Sequence, residues 1–402
     1  MRFPRTLAAG AFALATLLAG PALAAGSTEG SGVRATGDLG LVVERADGRV
    51  KIVDRGDHAV LQTVSGLGDL SHASVVYSPD ERYAYVFGRD GGLTKLDMIA
   101  GRIDKRIQQA GNSIGGAISQ DGELIAVSNY EPGGVKVFDA DTLEQVANIP
   151  AAYGPDKQQR SKVVGLVDAP GDRFVFSLYD AGEVWVADFA NRDAPKVTRH
   201  RGVGDRPYDA MITPDGRYYL AGLYGEDGVV LLDLWENRGD PRTILNDYGR
   251  GHEERPVYKM PHLEGWARAD GKLFLPAVGQ AAVLVVDTRS WEQVARIETH
   301  GQPVFAVARP DGREVWVNFA HPDNDTVQVI DVKEMAVADT LQPGKAVLHM
   351  AFSPRGEEVW LSARDSDAVK VYDTHDHEEI AELQAESPSG IFFTSRAHDI
   401  GL

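Results

Sequence analysis

Cysteine is absent from all 402 residues. Its absence excludes disulfides, thiolate metal ligands, covalent attachment of a c-type heme and a lipid anchor on cysteine. Positive charge is scarce. Lys and Arg number 41 against 59 Asp and Glu, which leaves a formal net charge of −18. So acidic a chain makes nucleic acid and anionic membrane poor generic partners, and a solvated surface is the simplest reading. An anionic ligand would need a local basic site working against that global field. Beyond the N-terminus no apolar run is long enough to span a bilayer. No G-x-S-x-G, H-E-x-x-H or G-x-G-x-x-G motif stands in a context that would give it chemistry.

The first 24 residues have the composition of a signal peptide. Arg2 and Arg5 form a basic region, Leu7 to Gly20 an apolar core, and Ala22-Leu23-Ala24 a cleavage site. Removing it takes the net charge from −18 to −20. The leader has no adjacent arginine pair, so secretion of an unfolded chain is the simpler route, and any cofactor would be acquired outside the cytoplasm. Residues 25–35, rich in Gly and Ser, are expected to form a flexible lead-in.

The remainder, 36–402, is repetitive. Strand-like segments close on an apolar-Asp pair at Asp54, Asp97, Asp139, Asp188, Asp233, Asp287, Asp331 and Asp373, spaced 42 to 54 residues apart. Turns of the Pro-Asp-Gly kind precede all of these except the first, as at Pro214-Asp215-Gly216 and Pro310-Asp311-Gly312. A period of about 40–45 residues with four strands per unit predicts a β-propeller, here all-β with eight blades in a single domain. The first repeat lacks its inner strand. Gly390 to Thr394 at the other end of the chain supplies a spare one, which would close the ring and remove its exposed edge.

Propeller geometry sorts the loops. The Pro-Asp-Gly turns emerge on one face. The turns between second and third strands emerge on the other, together with the connections between blades. Two insertions, 151–160 and 238–261, elaborate that second face, and long loops over a rigid scaffold carry function. At or near the starts of the inner strands, around the central channel, stand His72, Ser113, Lys162, Arg206, Tyr208, His262, Gln302 and Lys345. Arg89, Tyr130, Tyr179, Tyr224, His321 and Arg364 form an outer rim. His72 opens blade 2 and His262 opens blade 6, so the two imidazoles would face each other across the channel. A flat, iron-containing, multiply carboxylated ligand suits such a set. Imidazole can hold the iron, tyrosine can stack or donate, and Arg or Lys can pair with carboxylates. Blander readings stand beside these: a strand-start histidine that only bonds a loop, or an Arg89 committed to Asp90. His375 and His377 fall on the opposite face and read as solvated turn residues. Tyr77, Trp185, Phe305, Trp316 and Trp360 read as blade packing.

The stretch His72 to Asp97, with its Gly88-Arg89-Asp90 turn, resembles a blade of the d1-heme propeller of cytochrome cd1 nitrite reductase. Ser128-Asn129-Tyr130-Glu131-Pro132 and Ser387 to Phe393 resemble their counterparts there, and the similarity spans most of 36–402. The resemblance implies that His72 is the proximal iron ligand, that His262 is a distal group, and that Lys162 contacts carboxylates of the macrocycle. Tyr208 stands where the reductase carries a second distal histidine. The reductase's cytochrome c domain cannot exist here without cysteine, which puts nitrite reduction in doubt. An exported d1-type propeller without that domain is similar to the NirF family, required for making heme d1. That likeness implies a periplasmic protein binding heme d1 or a dihydro-heme d1 precursor. It also implies other heme d1 biosynthesis proteins and cytochrome cd1 nitrite reductase as candidate partners. Three classes stay open: a tetrapyrrole-modifying enzyme, such as a side-chain dehydrogenase needing an electron acceptor not encoded here, a carrier without turnover, and a protein-binding scaffold.

Overall fold

The computed structural model describes residues 35–235, 240–246, 248–249 and 265–399. The leader, most of the lead-in, the core of the second insertion and His262 lie outside these. Among the described residues the strands form eight four-stranded antiparallel sheets, plus a short hairpin, Ala152–Tyr153 with Gln159–Arg160, in the first insertion. Blade 2 is representative. Ser74–Tyr77 lies innermost, Tyr83–Phe87 and Gly92–Asp97 follow, and Arg102–Gln108 is outermost. No helix among the described residues is long and apolar enough to cross a membrane.

Burial explains why the sequence reads as it does. Second and third strands are packed on both faces between neighbouring blades, so Tyr83–Phe87 and Gly92–Asp97 are almost wholly buried. Most such strands carry near-continuous apolar runs in place of alternation, whereas Gly92–Asp97 buries Thr94, Lys95 and Asp97. The outer strands alternate, with one face to solvent. Three blades repeat Glu-Val-Trp. Trp185, Trp316 and Trp360 are buried, and each indole N–H donates to the glutamate two residues earlier, on the same face of its strand.

The eight closing aspartates have a common task. Each accepts, through Oδ1, a backbone N–H two or three residues on, as Asp97 does from Ile99 at 3.0 Å and Ala100 at 2.8 Å. This Asx geometry turns the chain from third strand to fourth, and it is why the repeat could be counted from aspartate. In three blades the turn between first and second strands uses a Ser or Thr with an Asp two residues later. Ser78, Ser119 and Thr213 donate to Asp80, Asp121 and Asp215, each at 2.5 Å.

Closure occurs at blade 1. Leu39–Glu44 pairs antiparallel with Pro388–Phe393, with Gly40 opposite Phe393 and Val42 opposite Ile391. The buried Tyr77 hydroxyl of blade 2 donates to the Phe392 carbonyl at 2.7 Å, and the Thr394 hydroxyl donates to Thr36 and Leu39. Tyr77→Phe should therefore lower the unfolding free energy by about 1–3 kcal/mol. The check is a chemical denaturation curve, with a lower midpoint at unchanged slope. An unchanged midpoint would show that the hydroxyl adds nothing to closure.

Candidate functional site at the channel mouth

One recurring backbone bond gathers the rim. In five blades a residue at the turn between second and third strands donates its N–H to a carbonyl on the approach to the inner strand of the same blade. Arg89 donates to Asp69 at 2.8 Å, Tyr179 to Lys162 at 3.0 Å, Tyr224 to Arg206 at 2.8 Å, Ala320 to Gln302 at 2.8 Å, and Arg364 to Ala346 at 3.1 Å. Two stretches about 15 to 20 residues apart in sequence are thereby held side by side on one face.

The result is a continuous chain of contacts through most of the predicted residues. The Arg89 guanidinium lies 5.3 Å from the Tyr130 ring centre, and the Tyr130 and Tyr208 hydroxyls are 3.3 Å apart. Tyr208 packs 5.5 Å from Tyr224 and 5.9 Å from Tyr179. Over Tyr179 stand Lys162 at 5.4 Å and Arg206 at 5.9 Å. Burial pushes the Tyr130 and Tyr208 phenols above their ordinary pKa, and the Asp209 carboxylate adds to this. Both therefore stay protonated and able to donate at neutral pH.

Arg89 is not committed to Asp90, whose carboxylate is taken by Arg106 at 2.8 Å. Arg89 faces Asp69 instead. Hydrogen bonds from Ser71, then the charges of Arg89 and Arg45, hold the Asp69 carboxyl below its usual range. Lys162 and Arg206 have only loose carboxylate neighbours, Asp180 at 3.6 Å and Asp205 at 3.9 Å, and both are about half exposed. Surface pairs of that kind bind weakly, so these cations can turn to a ligand. Ser113 and Gln302 are buried and bond main-chain carbonyls of Gly88 and Val278, which makes them structural.

Below the rim the channel holds a cavity of about 310 Å³. His72, half-buried at the start of the inner strand of blade 2, forms part of its wall. Arg396 also lines the cavity, standing 5.0 Å over the Phe392 ring and donating to the Val75 carbonyl at 3.4 Å.

Four wall residues escaped sequence reasoning. Arg45 occupies in blade 1 the place Arg89 holds in blade 2, and a rim census begun at the missing inner strand would have found it. Burial, and secondarily the charge of Arg364, lower its pKa, while Asp69 opposes the shift. Asp209, only 6% exposed, follows Tyr208 and shares the cavity wall. His349 lies on the inner strand of blade 8, 5.2 Å from Phe392 and 6.2 Å from Phe305, and its Nδ1 accepts the Ile391 N–H at 3.2 Å. Phe305 itself was expected in blade packing. It does pack against the core shared by blades 7 and 8, and it also lines the channel, because inner-strand side chains face the axis on one side. On the opposite face His377 is no solvated turn residue: it packs edge-on against Trp316 at 5.3 Å and meets Asp339 at 2.8 Å.

Fold and rim define a class: a closed propeller with an apolar shaft, an imidazole in its wall and a cationic, tyrosine-rich mouth. Comparison with known proteins agrees. The family described as Cytochrome D1 heme domain matches residues 34–397. Protein NirF of Pseudomonas aeruginosa is 61% identical over 380 residues, 94% of this chain and 97% of that protein. Protein NirF of Stutzerimonas stutzeri is 57% identical over 370 residues, 92% and 95% of the two chains. Among solved structures, dihydro-heme d1 dehydrogenase NirN in complex with DHE superposes with a TM-score of 0.79 at 29% identity, covering 90% of this chain and 76% of that one. The chain belongs to the cytochrome D1 heme-domain family and, within it, to the NirF family.

If the rim cations receive carboxylates, each charge-assisted bond is worth about 1.5–3 kcal/mol. Arg89→Ala, Lys162→Ala and Arg206→Ala should then each weaken binding of heme d1 about tenfold or more. The loss should be smaller for protoheme, which has fewer carboxylates. Titration followed by absorption is the check, and parental affinity in all three variants would place the ligand elsewhere.

Proposed function

We propose that this protein acts in heme d1 biosynthesis, binding heme d1 or its dihydro precursor at the channel mouth in the periplasm and modifying or escorting it for nitrite reductase maturation. The observation that carries this reading is the junction of Arg89, Tyr130, Tyr208, Tyr179, Lys162 and Arg206 above a channel with His72 in its wall. An acidic protein has no general use for such a cationic rim. A tetrapyrrole with several carboxylates around a flat apolar ring does.

In this reading His72 would hold the iron, and the rim cations would pair with the peripheral carboxylates. The protonated phenols of Tyr130 and Tyr208 would donate to polar groups on the macrocycle. His262 is a distal group by its resemblance to the reductase, although it falls outside the described residues. His349 offers a second imidazole on the wall, with Nδ1 already an acceptor and Nε2 therefore carrying the proton. The N-terminal leader supports a periplasmic site of action, where apoprotein would meet its ligand after export.

Two experiments test this. His72→Ala should shift or bleach the absorption of bound heme d1 while the protein stays folded, and His262→Ala should leave the axial signature in place. The reverse result would move the iron ligand across the channel. Turnover of dihydro-heme d1 with an added two-electron oxidant separates a catalyst from a carrier. If the purified protein binds neither tetrapyrrole, the scaffold reading replaces both.

A further inference from the structure

Blade 2 holds its two rim elements in a way that blades 4 and 8 do not. There, Asp180 and Ser366, each on its blade's own rim turn, receive the N–H of Lys162 and Lys345 at 2.8 and 2.9 Å. In blade 2 the corresponding bond, from the Asp69 N–H to Asp90 Oδ2, is long at 3.4 Å, and a second tie comes from outside the rim, from Arg106 on the outermost strand, Arg102–Gln108. Its guanidinium turns inward. Nε donates to the Leu67 carbonyl at 3.1 Å and Nη2 to Asp90 Oδ2 at 2.8 Å. Leu67 belongs to the loop that delivers His72, and Asp90 to the turn that presents Arg89.

The bonds continue inward from both contacts. Asp90 Oδ1 accepts the Gly92 N–H at 2.9 Å, and its Oδ2 receives a long bond from Asp69 at 3.4 Å. Asp69 accepts the Arg89 N–H on its carbonyl and the Ser71 N–H on its carboxylate, each at 2.8 Å. Ser71 precedes His72. Space for the guanidinium is built into the backbone: a Cβ on Gly68 would collide with both Arg106 and Asp90, and one on Gly92 with Arg106. Gly68 also has a φ of +88°, a conformation that disfavours any side chain.

We propose that Arg106 is a positioning residue that locks the His72 loop to the Arg89 turn, so that the axial ligand and the carboxylate clamp are presented as one rigid unit. The proposal rests on the heme-binding reading above. A fork-shaped, always-charged donor suits this task, because it can bridge a carbonyl and a carboxylate at fixed separation. An axial imidazole needs its orientation set by such supporting contacts.

The test compares Arg106→Ala, Arg106→Lys and Gly68→Ala in the full chain. Amide hydrogen exchange without ligand should quicken at least tenfold at Ser71 and Arg89 in Arg106→Ala and Gly68→Ala, with the other blades unchanged. Arg106→Lys keeps the charge but loses the fork, and should recover only part of that protection. On adding heme d1, the first two variants should bind about tenfold more weakly, with absorption displaced towards that of His72→Ala. Should Arg106→Ala fail to fold, the other two carry the same comparison. Parental exchange at Ser71 and Arg89 overturns the proposal. So does quickened exchange with the parental heme spectrum, which would make the clamp purely structural. A His72→Ala spectrum that shifts while the clamp variants match the parent sinks this inference alone. An unshifted His72→Ala spectrum sinks the axial-ligand reading and the positioning role with it.

Discussion

The channel mouth depends on one antiparallel pairing, that of Leu39–Glu44 with Pro388–Phe393. A four-stranded blade cannot bury both of its faces alone; it needs a neighbour on each side. Only a closed ring supplies one to every blade, and the ring closes through two segments separated by almost the whole described chain. Because closure sets the curvature, it also sets how near the rim turns come to one another. The Tyr77 hydroxyl ties blade 2 to this seam, so the blade carrying His72 and Arg89 is also the one keyed to the closing strand. Local strand chemistry builds blades. The seam makes them a site.

Electrostatics at the mouth run against the rest of the molecule. With a net charge of −18, the protein repels anions at long range, and only short-range, partly desolvated contacts can overcome that. Asp69 is shared between Arg45 and Arg89. Lys162 and Arg206 stand over a tyrosine with carboxylates at the edge of contact. Cations held this way are only partly neutralised in the protein itself. A carboxylated ligand would complete them, which is why the mouth reads as a binding site and the paired charges elsewhere on the blades do not. Lys370 on Glu379 and Glu382, or Arg192 on Asp121 and Glu123, are already satisfied by their own neighbours.

Much of the rim was legible because a propeller repeats. Once the closing aspartates set the period, Arg89, Tyr130, Lys162, Arg206 and Tyr208 could be placed on one face by counting alone. The structure then joined them through contacts that counting cannot supply. Arg45 was missed for a reason within the same logic, since the first repeat begins at its second strand. Phe305 and His349 were missed for a different reason. Both lie on inner strands, where an apolar or aromatic residue reads as core until one knows that the next face is a channel.

Sequence alone determined the eight-fold repeat, because the closing Asx turns and the turns of the Pro-Asp-Gly kind are local and each is written into fewer than about six consecutive residues. It also determined the sign of the net charge, so that any anionic ligand would need a local basic seat. Only the tertiary structure decided which charges are engaged. Asp90 follows Arg89 directly, yet it pairs with Arg106, sixteen positions away, because adjacent residues on a turn point apart while the outer strand folds back across it. Whether a cation is free for a ligand is a matter of which side chains the closed ring brings within a few ångströms, and no local pattern contains that information.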